Sequence, residues 1–309
     1  MPANQPRRRV AGRGFIRLAS LTKRDYDRGR CEADEVHKEM HTAKTHTILA
    51  GLLTAAATVA FALPGAAEVK KVAYPEVKIT LNKPYKPDAA FEKMHAAFLA
   101  AVKRKDAQAL TALVAPTFLW TVTNEPADEL DLGRDAVHNF KVAFGFRGFG
   151  KDTDGGVDGG PYWDALAAFA DDTTYYTTTD RGNLVCGPIA ADVADDKVFE
   201  QARKKIETAN EPVEWYFTLA DTAVAKAPGD TGAPVGKVGT VALPLLGFYP
   251  PEKEGAPPPP PTHFEVLLPS GRTGWVPVAA VRPLDADHLC YARTPSGDWK
   301  IAAIDQASQ

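Results

Sequence analysis

Serine is nearly missing from this 309-residue chain: beyond residue 67 only Ser270, Ser296 and Ser308 occur. The first two sit between proline and glycine, and the third lies in the terminal tail. No G-x-S-x-G elbow exists, so a serine nucleophile carried on such an elbow is excluded. Cysteine is equally scarce, with Cys31, Cys186 and Cys290 far apart and no C-x-x-C pair. Past residue 67 the histidines are His95, His138, His263 and His288, none spaced from another His or Cys as zinc ligands are; His288 and Cys290 share a strand face but stand alone. No metal and no cofactor is expected. There is no phosphate loop, and GFRGFG (145–150) lacks the G-x-G-x-x-G spacing of a dinucleotide fingerprint. Neither sign of charge dominates: 36 basic and 39 acidic residues give a pI near 6.2, which offers no basis for nucleic-acid binding.

A long hydrophobic run is also lacking. The longest, Ile48 to Leu63, has 16 residues rich in Ala and Thr, short of the ~20 that a spanning helix needs. It follows Met40 and Lys44, is broken by Pro64, and ends in Gly65-Ala66-Ala67. That is the n-region, h-region and small-residue cleavage site of a secretory signal, so residues 40–67 are expected to be a signal peptide cleaved after Ala67. The preceding residues 1–39, with ten basic and six acidic side chains and no periodicity, read as a leader created by a start placed too early. Removing 1–67 leaves 242 residues with 25 basic and 33 acidic side chains, a net charge of −8, and two cysteines. The expected location is the periplasm or the exterior, with no integral membrane span after cleavage. In an oxidising compartment Cys186 and Cys290 read as a disulfide rather than as two buried thiols. It would close a loop of about 100 residues, for which the chain-entropy model gives ~4.7 kcal/mol.

The remaining chain divides by texture into an α+β fold. Glu68–Lys86 alternates loosely between prolines and reads as an extended arm or edge strand. Asp88 caps a helix with Phe91, Met94, Phe98, Ala101 and Val102 on one stripe, and Asp106 caps a short helix that ends before Pro116. A strand at Phe118–Val122 follows, then helices at Arg134–Phe144 and from Trp163, a Thr/Tyr strand at Thr173–Thr179, and a charged helix at Asp195–Thr208. Residues 68–210 are thus an α-rich domain. After Glu211-Pro212 come short β-branched or aromatic runs separated by Gly and Pro, the mark of a small antiparallel barrel or sandwich. Leu268-Pro269-Ser270-Gly271 and Thr294-Pro295-Ser296-Gly297 read as two hairpin tips.

In this half, GKVGTVALP is followed by HFEVLLPSGRTGWVP. The alternating strand, the Pro269-Ser270-Gly271 turn and Gly274-Trp275-Val276 resemble a bacterial SH3 (SH3b) domain covering 211–285. The resemblance implies a small antiparallel SH3-like β-barrel plugged by Trp275, with Gly274 letting the strand bend around it. It also implies a binding role toward peptidoglycan peptides or an envelope protein. Phe248, Tyr249 and Trp275 are the candidate surface. The family's loop is lengthened here by GFYPPEKEGAPPPPP; Pro257–Pro261 reads as a polyproline II spacer, with an intramolecular or partner-directed ligand as the alternative.

Phe91–Val122 together with Trp299–Ala302 is also similar to nuclear-transport-factor-2-like cone folds. That likeness would return the hairpin of 286–309 to the first domain. It implies an alternative function, a small-molecule binding protein or an isomerase- or hydrolase-like enzyme using His95 or His138 beside Phe98, Trp120 and Phe140. KDTDGGVDGG (151–160) carries Asp152, Asp154 and Asp158, but Val157 and Trp163 stand where an EF-hand needs Gly and Glu, so it reads as an acidic surface loop. The leading expectation is an exported, non-enzymatic SH3b-containing protein of the cell envelope.

Overall fold

The computed structural model describes residues 71–123, 125–149, 161–179, 182–207, 213–251 and 259–307. The leader, the signal segment, Cys31, the Asp152–Asp158 loop and Pro257–Pro258 lie outside the described residues. The first half contains β1 (Val77–Leu81), α1 (Ala89–Lys103), α2 (Ala107–Thr111), β2 (Val114–Val122), β3 (Glu125–Pro126) and α3 (Ala136–Ala143). It continues with α4 (Trp163–Asp171), β4 (Tyr176–Thr178), β5 (Leu184–Gly187), β6 (Ala191–Val193) and α5 (Asp196–Ile206).

Among the described residues, four of the five α-helices begin at an aspartate whose carboxylate accepts an otherwise orphaned N–H. Asp88 accepts from Phe91 at 2.8 Å, Asp106 from Ala109 at 2.9 Å, Asp135 from His138 at 2.7 Å and Asp195 from Lys197 at 2.8 Å. Each such cap contributes about 1 kcal/mol. On α1 the stripe of Phe91, Met94, Phe98, Ala101 and Val102 is buried, as its spacing requires. α5 buries only Ala202 and Ile206 completely. Its charged face is tied to the fold through Arg203 Nε, which donates to Glu207 Oε1 at 2.9 Å, and Trp215 Nε1, which donates to the same oxygen at 3.1 Å.

The second half adds β7 (Trp215–Thr218), β8 (Thr222–Val224), β9 (Gly236–Val238), β10 (Val241–Tyr249), β11 (His263–Leu267), β12 (Thr273–Pro277), β13 (Val281–Pro283), β14 (His288–Arg293) and β15 (Trp299–Gln306). A seven-stranded antiparallel sheet runs β12-β11-β10-β1-β6, with β7 also on β10 and β13 on β7. A six-stranded sheet runs β3-β2-β15-β14-β5-β4, in which only β2 and β15 are parallel. β8 and β9 form a separate pair, linked to β12 by reciprocal hydrogen bonds between Ala225 and Trp275 at 2.9 Å. Among the described residues no sheet closes into a barrel by its strand pairing. The chain is therefore α+β with mostly antiparallel sheets.

Three cores separate the layers. Helices α1, α3 and α4 cover one face of the six-stranded sheet with Phe98, Phe140, Leu166 and Tyr291. The opposite face, with Cys186, Cys290 and Ala303, meets Val77, Phe217, Ala242 and Leu267 of the seven-stranded sheet and Ile206 of α5. A third core of Tyr216, Leu243, Phe264, Val266 and Val276 lies on the far side of the seven-stranded sheet. β7 is buried along its whole length because Trp215 and Phe217 face the second core while Tyr216 faces the third. A strand clothed on both faces reads as a continuous apolar run.

Several sequence expectations need correction. The segment before α1 is not an edge: β1 lies between β10 and β6, with Val77 opposite Ala242 and Ile79 opposite Val193. Its prolines, Pro75 and Pro84, flank the paired residues and cost the ladder nothing. β2 begins at Val114 and contains Pro116, tolerated because the register against β15 slips between Ile301 and Ala303. β8 and β13 were not legible at all, each being a three-residue strand among glycines and prolines.

Both expected hairpin tips are present. Gly271 has φ +80° and donates to the Leu268 carbonyl at 2.8 Å; Gly297 has φ +93° and donates to that of Thr294 at 2.9 Å. Gly271 is doubly required, because a Cβ there would fall 2.9 Å from the Ala73 nitrogen. The arm before β1 crosses this tip: the Tyr74 N–H donates to the Pro269 carbonyl at 3.0 Å, and its hydroxyl to that of Leu267 at 2.7 Å.

The end of the chain carries a pH-dependent element. The Asp287 carboxylate accepts the Ala307 N–H at 2.8 Å. Burial pushes its pKa up to about 6 and Asp305 adds to the rise, while the Ala307 hydrogen bond opposes it. A carboxylate whose folded pKa is raised contributes stability below its unfolded pKa near 4 and loses it as pH rises through 6. Asp287→Asn keeps an acceptor for Ala307 and removes the titration. The variant is expected to gain on the order of 1 kcal/mol at pH 7.5 and nothing at pH 4. Urea unfolding at both pH values checks this; an equal change at both would remove the assignment.

Candidate functional site

The three residues expected to form a surface occupy β10 and β12. The ladder pairs Gly247 with Glu265 and Glu265 with Trp275; in the next inward row Phe248, Phe264 and Val276 are opposed, and beyond it Tyr249, His263 and Pro277. Because side chains alternate across a strand, the middle row points to the third core and the two outer rows point away from it. Phe248 packs with Phe264 in that core and is not part of the exposed face. Tyr249, 45% exposed, and the half-buried Trp275 are brought together on the other face. Their rings meet edge to face above β11 with centroids 6.3 Å apart.

This placement overturns the expectation that Trp275 plugs a barrel. The third core is filled by Tyr216, Phe264, Val266 and Val276, and Trp275 does not belong to it. Gly274 serves a different purpose from the one its sequence suggested. A Cβ at Gly274 would lie 2.5 Å from Val224 Cγ1 and 2.9 Å from the Ala225 carbonyl, so it is the gap through which β8 reaches β12.

Two residues of the face escaped the sequence reading. His263 and Glu265 lie between the aromatic rows, on the same side of β11. The alternation in His-Phe-Glu-Val-Leu carries that signal, since Phe264 and Val266 claim the core side. The Glu265 carboxylate leans toward β10, with its Oε2 3.9 Å from where a Cβ of Gly247 would stand. Thr262, where the proline-rich segment rejoins the sheet, donates its N–H to the Tyr249 carbonyl at 2.7 Å and fixes that edge of the face.

The two histidines considered for acid–base chemistry lie elsewhere. His95 on α1 is wedged against Phe98 and Tyr175, with ring centroids 6.3 and 5.8 Å away, and its buried Nε2 has no hydrogen-bond partner among the described residues. Burial lowers its pKa, partly offset by Asp171 and Asp172. His138 on α3 borders two open depressions, one shared with Asp135, Lys141 and Phe149, the other with Leu130 and Leu132. Phe98, Trp120 and Phe140, expected to line a cone, are packed together in the first core.

Cys186 and Cys290 face each other across directly paired positions of β5 and β14, with Cα atoms 4.0 Å apart and sulfurs at bonding distance, 2.02 Å. Both are almost completely buried. Among the described residues no cluster of three or more His, Cys, Asp or Glu stands ready to hold a metal ion, and no helix is long and apolar enough to cross a membrane. No protein-family model, curated protein or solved structure matches the chain.

Proposed function

We propose that this chain is an exported binding protein of the cell envelope, and that its SH3b-like part holds peptidoglycan peptides or an envelope protein against Tyr249 and Trp275. The observation that carries the reading is the outward ring pair above β11. Two large aromatics directed away from a core that is complete without them supply contact area with little conformational entropy to lose, as binding surfaces do. Support for the SH3b assignment comes from the separate core enclosed by β7, β8 and β10–β13 and from the glycine-tipped turn between β11 and β12. Support for export comes from the buried cysteine pair and from the signal-like segment ending at Ala67.

Co-sedimentation with purified peptidoglycan tests the proposal. The unaltered protein is expected to pellet with the sacculus, and Tyr249→Ala combined with Trp275→Ala to lower the bound fraction at least tenfold with unchanged circular dichroism. A protein that stays in the supernatant, or a double variant that binds as well as the original, would sink the peptidoglycan reading.

A further inference from the structure

We propose that the Tyr249–Trp275 face takes a primary ammonium group on an aliphatic stem, a lysine-type side chain of a peptide, with Glu265 as its counter-charge. The inference rests on reading this face as the binding surface and specifies what it selects. Glu265 is half-buried, and no ion pair or hydrogen bond engages its carboxylate among the described residues. Its row neighbours are Gly247 on one side and Trp275 on the other, and Tyr249 stands diagonally across Gly247. Gly247 contributes no side chain, and among the described residues the Glu265 carboxylate is the one group within 4 Å of where its Cβ would stand.

The electrostatics of this arrangement favour one sign. The faces of Tyr and Trp rings carry the negative end of a quadrupole, and a cation over them gains about 0.5–2 kcal/mol according to its desolvation. A partly desolvated carboxylate beside the rings adds attraction at a lower effective dielectric than that of water. An anion meets repulsion from both, and a neutral apolar group gains only burial. The ionisable neighbours in these rows are few: His263, two residues along β11, is the other one, and its Nδ1 lies 3.1 Å from the Thr262 hydroxyl. A lysine stem is long enough to lie along the Trp275 ring while its ammonium reaches Glu265. The short backbone amine of a peptide terminus lacks that stem, which commits the site to the side-chain amine.

The test uses the protein labelled with 15N at its five tryptophans, with Trp275→Phe identifying the Trp275 indole signal. Three probes are titrated: Nα-acetyl-lysine methylamide, its neutral norleucine counterpart, and alanine methylamide with a free α-amine. The lysine probe is expected to shift the Trp275 signal saturably, about tenfold more tightly than either of the others. Glu265→Gln is expected to reduce lysine binding to the norleucine level and leave norleucine unchanged. Equal affinity for norleucine or for alanine, or an unaltered lysine titration in Glu265→Gln, overturns the proposal. The two readings fail separately. Absence of any Trp275 response in a protein that still co-sediments through Tyr249 removes the ammonium site alone; a lysine response without co-sedimentation removes peptidoglycan as the partner and leaves the site.

Discussion

Separating Cys186 from Cys290 is expected to produce the largest loss of stability of any two-atom change in this protein. The pair spans 104 positions of sequence. In the chain-entropy account a loop of that size restrains the unfolded ensemble by up to ~4.7 kcal/mol, and native disulfides typically deliver about 2–5 kcal/mol. The link is not needed to define the geometry, because β5 and β14 already align Leu289 with Gly187 and Tyr291 with Val185 around it. The doubly substituted Cys186→Ala, Cys290→Ala protein should therefore fold to the same secondary structure and unfold at a markedly lower urea concentration. Reductant should have little effect without denaturant, since both sulfurs are shielded by the second core. A midpoint unchanged by the double substitution would show that the bond does not form in solution. Thiol titration in denaturant adds a check on processing. A chain that has lost Cys31 with its leader should show no free thiol, and one that retains it should show one.

The second large effect concerns Arg282 on β13 and Asp172, which follows α4. Arg282 Nε lies 2.6 Å from Asp172 Oδ2, with only 15% and 13% of the two side chains exposed. The other carboxylate oxygen accepts from the Thr174 N–H at 2.6 Å and its hydroxyl at 2.5 Å. The guanidinium also donates to the Val281 carbonyl at 2.7 Å. Removing one charge from this mostly buried pair strands the other, a loss of about 1.5–3 kcal/mol. Arg282→Met should fall at the lower end of that range because Thr174 still serves Asp172. Asp172→Asn, which keeps the Thr174 bonds but leaves the guanidinium without its counter-charge, should be comparable. Combining them should restore part of the loss, since neither charge then remains unmatched. Additive penalties in that double-mutant cycle would show that the two side chains act independently.

The contrast between these elements explains what could be read from the chain alone. Features set by residues close in sequence were legible: the caps at Asp88 and Asp106, the stripe on α1, and the glycines at positions 271 and 297. Cys186 and Cys290 were legible by elimination. What remained hidden depends on partners far along the chain. Val77 and Ile79 look like residues of a stray arm until β10 and β6 arrive on either side. Trp275 looks like a core residue because it is large and apolar, yet the core had already been filled by Phe264, Val266 and Val276. Tyr249 is exposed, whereas its neighbour Phe248 belongs to the opposite face. Glu265 attracted no notice because its meaning comes from the rings that two other strands place beside it.

The position of β1 also governs the order in which this molecule can mature. The first described strand cannot complete its ladder until β10 has been made, and β2 waits for β15, the last of the described strands. The seven-stranded sheet therefore waits for β13, and the six-stranded sheet for β15. Local helices can form early, but the pairings that enclose the cores are among the most distant in the sequence, which favours slow folding and a late, concerted closure. Until then the apolar faces of β2 and β7 have no cover, and aggregation competes with folding.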